Sequence, residues 1–174
     1  MDDDDLTALT FEDENMPDPK EPEKHSPAEL LALVLISLSE GTDPEDGQAW
    51  PIFYSELPDS PDAPIELIGI STTTPVLDGV SQTSGRTVLK HGVQVRVRSQ
   101  TSDRRAFAKA AQLQGKLSCN YNIEFVASAG EPEEQSYKFH NATLQNGPAR
   151  AGRSDEGRYD YTLNYTLALT ENTP

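Results

Sequence analysis

The chain has 174 residues, a formal net charge of −15 and a hydrophobic share of 35%, which is low because its first 25 residues bring few apolar side chains. This length suffices for one domain with a core, but the acidic balance argues against a general nucleic-acid-binding protein, because phosphates repel it. No run reaches the roughly 18 apolar residues of a membrane span, and the single cysteine, Cys119, permits no internal disulfide, which fits a reducing compartment.

The N-terminal stretch is the most acidic part of the chain. Residues 1–25 hold ten Asp and Glu against two Lys, and the start MDDDD is the opposite of the positive start of a signal peptide. We predict that residues 1–25 form an acidic arm, disordered or bound to a partner, and that residues 26–174 form a single domain. Four apolar residues in the arm are a candidate docking motif: Leu6, Leu9, Phe11 and Met16.

The first predicted helix begins at Ser26, a residue type that caps helices, followed by Pro27 at the first helical position. Glu29 is placed to complete a capping box, and Gly41 is predicted to end the helix. Residues 30–38 are apolar on nearly all sides of a helix, so we expect burial on more than one side. Either the fold itself or a subunit interface would provide that burial.

Two short strands follow the first helix. Residues 52–54 predict the first, residues 65–72 predict the second, and residues 56–64 between them carry three prolines and three acids, which favour an extended or turning path. Residues 73–85 predict a long loop.

The centre of the chain, residues 85–117, is its only markedly basic region, with eight Lys and Arg against Asp103. Odd positions from Leu89 to Val97 are apolar and even positions are mostly cationic, which predicts a half-buried antiparallel strand. The cations of the even face are Arg86, Lys90, Arg96 and Arg98. They are either an ordinary solvated face or the binding site for an acidic surface on a neighbour or on this chain.

A second helix begins after Ser102, an N-cap residue. Helical spacing places four residues on its buried stripe, and two more are predicted to widen the stripe: Ala106, Ala110, Leu113 and Leu117, with Phe107 and Ala111. Three cations are predicted to lie largely outside the stripe: Arg104, Arg105 and Lys109.

The C-terminal third predicts three strands, at residues 121–126, 137–144 and 158–169, with a turn at 129–134 and a loop at 145–157. The fold class that follows is α+β, a mainly antiparallel or mixed β-sheet with two helices packed on it, extended loops and the acidic arm.

No motif for chemistry is present. His25, His91 and His140 lack metal-ligand spacing, there is no CxxC pair or phosphate-binding loop, and residues 79–83 resemble a nucleophile elbow without its second glycine. We therefore predict no catalytic, cofactor-binding or metal site, and no enzyme.

Several stretches together resemble one protein family. The segments PIFYSELPDSPDAPIELIGI (51–70) and HGVQVRVRSQTSDRRAFAKAAQLQGKL (91–117), with the Tyr-rich closing strand, resemble the tail-terminator family (tail-completion or minor tail proteins) of long-tailed, siphovirus-like bacteriophages. The resemblance covers about residues 26–170; the acidic arm departs from the family's usual short start.

The resemblance implies a structural virion protein of the tail and neck, assembled in the bacterial cytoplasm without cofactor or membrane. It implies a hexameric ring that caps the tail tube, ends polymerisation of the tube protein and joins the head-completion or connector protein. Genomic DNA would pass through the lumen without specific binding. In such a ring we expect the face formed by Arg86, Lys90, Arg96 and Arg98, or the helix cations beside it, to meet acidic surface across a subunit or ring-to-tube joint.

Other functions remain as alternatives. A second neck or head-completion protein of the same particle would share fold elements. An acidic DNA mimic that inhibits a host protein is a different class, disfavoured because much of the negative charge lies in the arm and a basic strand interrupts the domain. A small hydrolase is the most distant alternative.

Overall fold

The structure is a computed structural model, and it describes residues 25–54, 56–60, 62–74, 76–80, 87–127, 134–153 and 157–172. Apart from His25, the predicted arm lies outside the described residues. The helices are α1 (Pro27–Ser37) and α2 (Asp103–Cys119), with a 3-10 turn at Pro44–Asp46. The strands are β1 (Ile52–Tyr54), β2 (Glu66–Thr72), β3 (Val76–Val80), β4 (Thr87–Ser99), β5 (Ile123–Ala127), β6 (Gln135–Arg153) and β7 (Tyr159–Asn172).

The described strands form one mixed sheet in the order β1-β2-β4-β7-β6-β5, and β3 pairs with β4 beside that path. β1 and β2 are parallel, whereas the other pairs are antiparallel. The central pair, β4 and β7, aligns Val97 with Tyr161 and Val93 with Tyr165, so the apolar residues of both strands share one face. The predicted α+β class is confirmed.

Helix α1 is enclosed by its own sheet. It contacts β1 and β2 near one end of the strand order and β5 at the other, so the sheet curls around the helix. Leu31, Val34 and Leu35 are fully buried in the single chain. The predicted burial on more than one side is therefore confirmed, and the fold supplies it without a partner.

Helix α1 begins where the sequence predicts, but it ends earlier than predicted. Ser26 Oγ accepts a hydrogen bond from the backbone N–H of Glu29 at 3.2 Å. The helix ends at Ser37 rather than at Gly41, and Ser39 takes the positive φ of 58° that a glycine commonly supplies. Gly41 serves close packing instead, because a Cβ there would lie 2.6 Å from the side chain of Ile52.

Helix α2 packs on β4, β6 and β7. Ser102 Oγ accepts from the backbone N–H of Arg105 at 3.2 Å, as predicted. The predicted stripe is buried, namely Ala106, Ala110, Leu113 and Leu117. The predicted widening was wrong, because Phe107 is 46% exposed and Ala111 is exposed, while Lys109 is buried beside the stripe.

Two predicted loops contain strands. β3 occupies part of the predicted loop 73–85, and β6 continues to Arg153 through the predicted loop 145–157. The Asn, Gly and Pro residues of that second segment read as a loop, but β6 keeps its pairing with β7 through repeated register shifts. Gly147, at a φ of 118°, sits where a Cβ would lie 2.5 Å from the carbonyl oxygen of Thr162.

Tyr165 of β7 generates a first test, because its side chain is 1% exposed and its hydroxyl has no hydrogen-bond partner within the described part of the chain. We expect Tyr165→Phe to leave the free energy of unfolding at pH 7 unchanged or to raise it by up to about 1 kcal/mol, since it removes an unpaired polar atom. Urea unfolding measures this. Tyr121→Phe, at a residue that is 68% exposed, is the control and should change nothing.

The stability of the same variant at alkaline pH gives a second measurement. Burial raises the pKa of the Tyr165 phenol, so folding favours its protonated form. The free energy of unfolding is therefore unaffected by ionisation of this group below about pH 10, the ordinary tyrosine pKa, and falls as the pH rises further, because the unfolded chain loses the proton first. Tyr165→Phe should therefore lose less stability than the parent chain above that pH. A loss of stability at pH 7 would contradict the prediction, because it would reveal a hydrogen bond to the hydroxyl.

Candidate functional site

The predicted interface lies on the face of the sheet that points away from the helices. Val93, Val95 and Val97 of β4 are buried on the helical side, so the even residues of the strand point to the other side, here called the outer face. Lys90, Arg96 and Arg98 lie there. Arg86 lies outside the described residues.

Arg98 is held inside the chain. Its side chain is only 5% exposed; Nε donates to Asp160 Oδ1 at 2.9 Å, and Nη1 donates to Asp59 Oδ1 at 2.9 Å. Burial opposes the charge, but the hydrogen bonds and the charges of Asp160 and Asp59 outweigh it and raise the pKa of the guanidinium. In the single chain, Arg98 therefore serves the fold.

A second arginine, which the sequence did not single out, joins the same network. Arg158 is 1% exposed; its Nη1 lies 3.1 Å from Asp59 Oδ1, and its Nη2 donates to the carbonyl of Ser60 at 2.7 Å. The carboxylate of Asp59 therefore bridges two buried guanidiniums. Together these contacts hold segment 56–60 across the outer face.

Segment 56–60 lies on the outer face through side-chain contacts. Pro58 lacks an N–H donor, which limits hydrogen bonding of this backbone to a strand. Leu57 packs directly over Gly69 of β2, where a Cβ would collide with it. Leu67, on the same face of β2, is fully buried. Thus an apolar contact and the Asp59 ion pairs hold the segment jointly.

Arg96 is the cation of the network that reaches solvent. Its side chain is 38% exposed, and its Nε lies 3.8 Å from Asp160 Oδ2, beyond hydrogen-bonding distance. Asp160 is already hydrogen-bonded to Arg98. Among the described residues, three arginines face two carboxylates in this network, which leaves a local positive charge at Arg96. Lys90 is half-buried farther along the strand.

Polar uncharged groups surround Arg96 on the outer face. Register places Thr162 opposite Arg96 and Asn164 opposite Gln94. Gln94 Nε2 donates to Asn164 Oδ1 at 3.0 Å. These half-buried side chains make the central outer face hydrophilic, unlike the apolar helical side.

The helix cations form separate ion pairs on the helical side. Glu40 is buried after α1 and accepts from Lys109 Nζ at 3.0 Å and from Gln112 Nε2 at 2.6 Å, while Lys116 Nζ lies 3.6 Å away. Lys109 was predicted to lie largely outside the buried stripe, and that was wrong, since Glu40 neutralises it in a buried position. Arg105 pairs with Glu66 of β2, with Nη2 2.8 Å from Oε2.

The described residues contain no group of three or more His, Cys, Asp or Glu side chains placed to hold a metal ion. Nor does any helix among them have the length and apolarity needed to cross a bilayer.

Two of the histidines make local contacts. His25 Nδ1 lies 3.0 Å from Glu29 Oε1 in the first turn of α1, and His140 Nε2 of β6 lies 2.9 Å from Thr170 Oγ1 of the neighbouring strand β7. The ion pairs of Asp59 and Asp160 on the outer face, and of Glu40 on the helical side, hold segments of the chain together.

Comparison with known proteins adds one match. The family described as "Bacteriophage tail terminator protein" matches residues 34–171. The matched stretch includes the last turn of α1, the ion pairs of Asp59, Asp160 and Glu40, and nearly all of β7. No curated protein matches the sequence.

The Arg98–Asp160 pair generates a stability test. Asp160→Asn would leave Arg98 buried with one carboxylate fewer, so we expect the free energy of unfolding to fall by about 3 kcal/mol, as is typical when one partner of a buried pair is removed. Glu124→Gln is the matched control: it removes an exposed partner of Lys138 and should cost less than about 1 kcal/mol. Equal losses in urea unfolding would show that Arg98 does not depend on Asp160.

Proposed function

The chain belongs to the bacteriophage tail terminator family and is thus a structural component of the phage tail; from this premise we propose that its copies form a hexameric ring on the end of the tail tube. The ring ends polymerisation of the tube protein and joins the tail to the head-completion or connector protein. Genomic DNA passes through its lumen without specific binding. The family match over residues 34–171 is the observation that carries this proposal.

Features of the single chain support ring assembly. A ring of identical subunits uses two different surfaces of each copy, which meet head to tail. The sheet already covers α1, so the contacts between subunits must use other surfaces. Tyr54 of β1, the strand at one end of the order, is 45% exposed, and Ile65 just before β2 is 59% exposed. Large exposed apolar side chains of this kind are common at interfaces.

The outer face is the second element of the proposal. Arg96 presents a partly exposed guanidinium, and Lys90 lies on the same strand face. An acidic surface of the neighbouring subunit or of the tube protein is a suitable partner for these two cations. Arg98 contributes indirectly, because its buried pair with Asp160 fixes the strands that carry Arg96.

Phage particles assembled without this protein test the proposed role. We expect tails of uncontrolled length, or tails that fail to attach to heads, because nothing would end tube growth or form the joint. Negative-stain electron microscopy measures tail length and attachment directly. Normal virions in the absence of the protein would overturn the proposal. Expression of the parent chain in the same host should restore the normal tail length.

The contribution of the outer face to assembly has its own test. Arg96→Gln removes the exposed charge without placing a carboxylate beside Asp160, so the fold should persist. We expect the subunit concentration needed for half-assembly to rise severalfold, since an exposed ion pair contributes up to about 1 kcal/mol and each copy loses one. Analytical ultracentrifugation over a concentration series measures the shift.

Arg105→Gln is the matched control, because Arg105 is 54% exposed on the helical side and pairs with Glu66. It should leave assembly unchanged. The opposite pattern, with Arg105→Gln disruptive and Arg96→Gln silent, would move the interface to the helix cations.

A further inference from the structure

We propose that the acidic arm, residues 1–24, of one copy binds an arginine cluster on the next copy. The cluster consists of Arg104, Arg150 and Arg153, at the start of α2 and the far end of β6. This inference rests on the proposed ring, because it requires neighbouring copies. The acidic arm would thereby gain a binding partner in the assembled ring.

Two arginines of the cluster lie against one aromatic ring. The guanidinium carbon of Arg153 lies 5.2 Å from the centroid of the Tyr159 ring, and that of Arg150 lies 5.9 Å away. Arg150 is 52% exposed, and its Nε lies 3.3 Å from Asp103 Oδ1. Arg104 follows Asp103 in the first turn of α2 and is exposed, as is Arg153. Three arginines therefore accompany one described carboxylate, a local charge of about +2 at neutral pH.

The bulged end of β6 positions this cluster. Register aligns Arg150 with Tyr161 and Arg153 with Tyr159, which places both arginines on the helical side near α2. A guanidinium that stacks on an aromatic ring keeps its in-plane N–H donors available, and those donors match the two oxygens of a carboxylate. The cluster is therefore suited to side chains of Asp and Glu.

The cluster differs from the other cationic positions of the fold. Arg98 is bonded to Asp160, Lys109 to Glu40 and Arg105 to Glu66. Each of those cations has a carboxylate at hydrogen-bonding distance. In the cluster, the one described carboxylate, Asp103, pairs with Arg150, and the structure shows no ion pair of Arg104 or Arg153 with a described carboxylate. Two further acids, Asp155 and Glu156, follow Arg153 in the chain but lie outside the described residues, so the test must separate them from the arm.

His25, where the arm joins the fold, and the cluster lie at opposite ends of the sheet. The arm ends at His25, whose ring lies 5.9 Å from that of Tyr137, and Tyr137 is aligned with Glu171 at the end of β7. Arg150 and Arg153 of the cluster lie against Tyr159 at the start of β7. The rise of a strand, about 3.3 Å per residue, makes these two places about 40 Å apart.

The proposed ring provides a contact between copies. Head-to-tail assembly brings two different surfaces of neighbouring subunits together, and in this proposal the arm of one copy meets the cluster of the next. An extended arm of 24 residues reaches up to about 80 Å, which is ample. Its ten acidic residues and two lysines complement the positive cluster. Nucleic acid also binds arginines beside a tyrosine, but the net charge of −15 disfavours it.

Photo-cross-linking of the full-length chain tests the contact. One preparation carries p-benzoyl-phenylalanine in place of Leu9 and natural isotopes, and a second preparation is labelled with ¹⁵N. Rings assembled from a mixture are irradiated, and the cross-linked peptides are identified by mass spectrometry. We expect mixed-isotope cross-links between the arm and peptides that contain Arg104, Arg150 or Arg153.

Charge reversal then tests the chemistry. The combined variant R104E, R150E and R153E should lower the yield of these cross-links about tenfold. Replacement of Asp2, Asp3, Asp4 and Asp5 by Lys in the same chain should restore the yield, because the arm then matches the reversed cluster. Asp155 and Glu156 are unchanged throughout, so rescue assigns the contact to the arm. Lys138→Glu, at a half-buried cation away from the cluster, is the control and should keep the parent yield.

Each other outcome counts against the contact. Cross-links to a different surface, cross-links confined to one isotope, or a reversed arm that fails to rescue a folded triple variant would overturn the inference. Loss of DNA binding in the triple variant with unchanged cross-links would assign the cluster to nucleic acid instead. Rings that form without the arm cross-link defeat this inference alone, whereas a chain that stays monomeric defeats the proposed ring as well.

Discussion

The apolar surface of α1 is the constraint on which the rest of the fold depends. Leu31, Val34 and Leu35 are fully buried, and burial of each such side chain contributes about 1.5–3 kcal/mol relative to exposure. A flat sheet can cover only one side of a helix. Here β1 and β2 near one end of the strand order and β5 at the other all contact α1, so the apolar helix and the curl of the sheet require each other.

The curl has a consequence on the opposite face. There the sheet carries polar residues, and segment 56–60 lies across it through contacts of Asp59 and Leu57. The pairs of Asp59 join buried guanidiniums to a carboxylate that is 75% exposed, and such pairs gain little net stability, because solvent screens the attraction while the buried cation is desolvated. Their value here is positional: Arg98 and Arg158 accept one geometry of Asp59, and that geometry fixes where the segment crosses the strands.

Alternation and capping made much of this fold predictable from sequence. The apolar face of β4, the N-caps Ser26 and Ser102 and the stripe of α2 all follow from local periodicity. Contacts between distant residues were not predictable. Nothing local marks Glu40 as the partner of Lys109, or Asp59 as the bridge between Arg98 and Arg158. For the same reason Gly41 was read as a helix terminator, although it is required by the approach of Ile52.

The two ionic networks also bear on how an acidic subunit can assemble with copies of itself. With 29 acidic and 14 basic residues, identical chains repel one another at long range. The fold directs Arg98, Arg158 and Lys109 inward, where they pair with its own carboxylates. Exposed cations of the described chain, such as Arg104, Arg150 and Arg153, remain available for contacts that offset the repulsion. In the proposed ring, their placement makes charge a determinant of which surfaces meet, while the acidic remainder of the surface disfavours adhesion of the DNA that passes through.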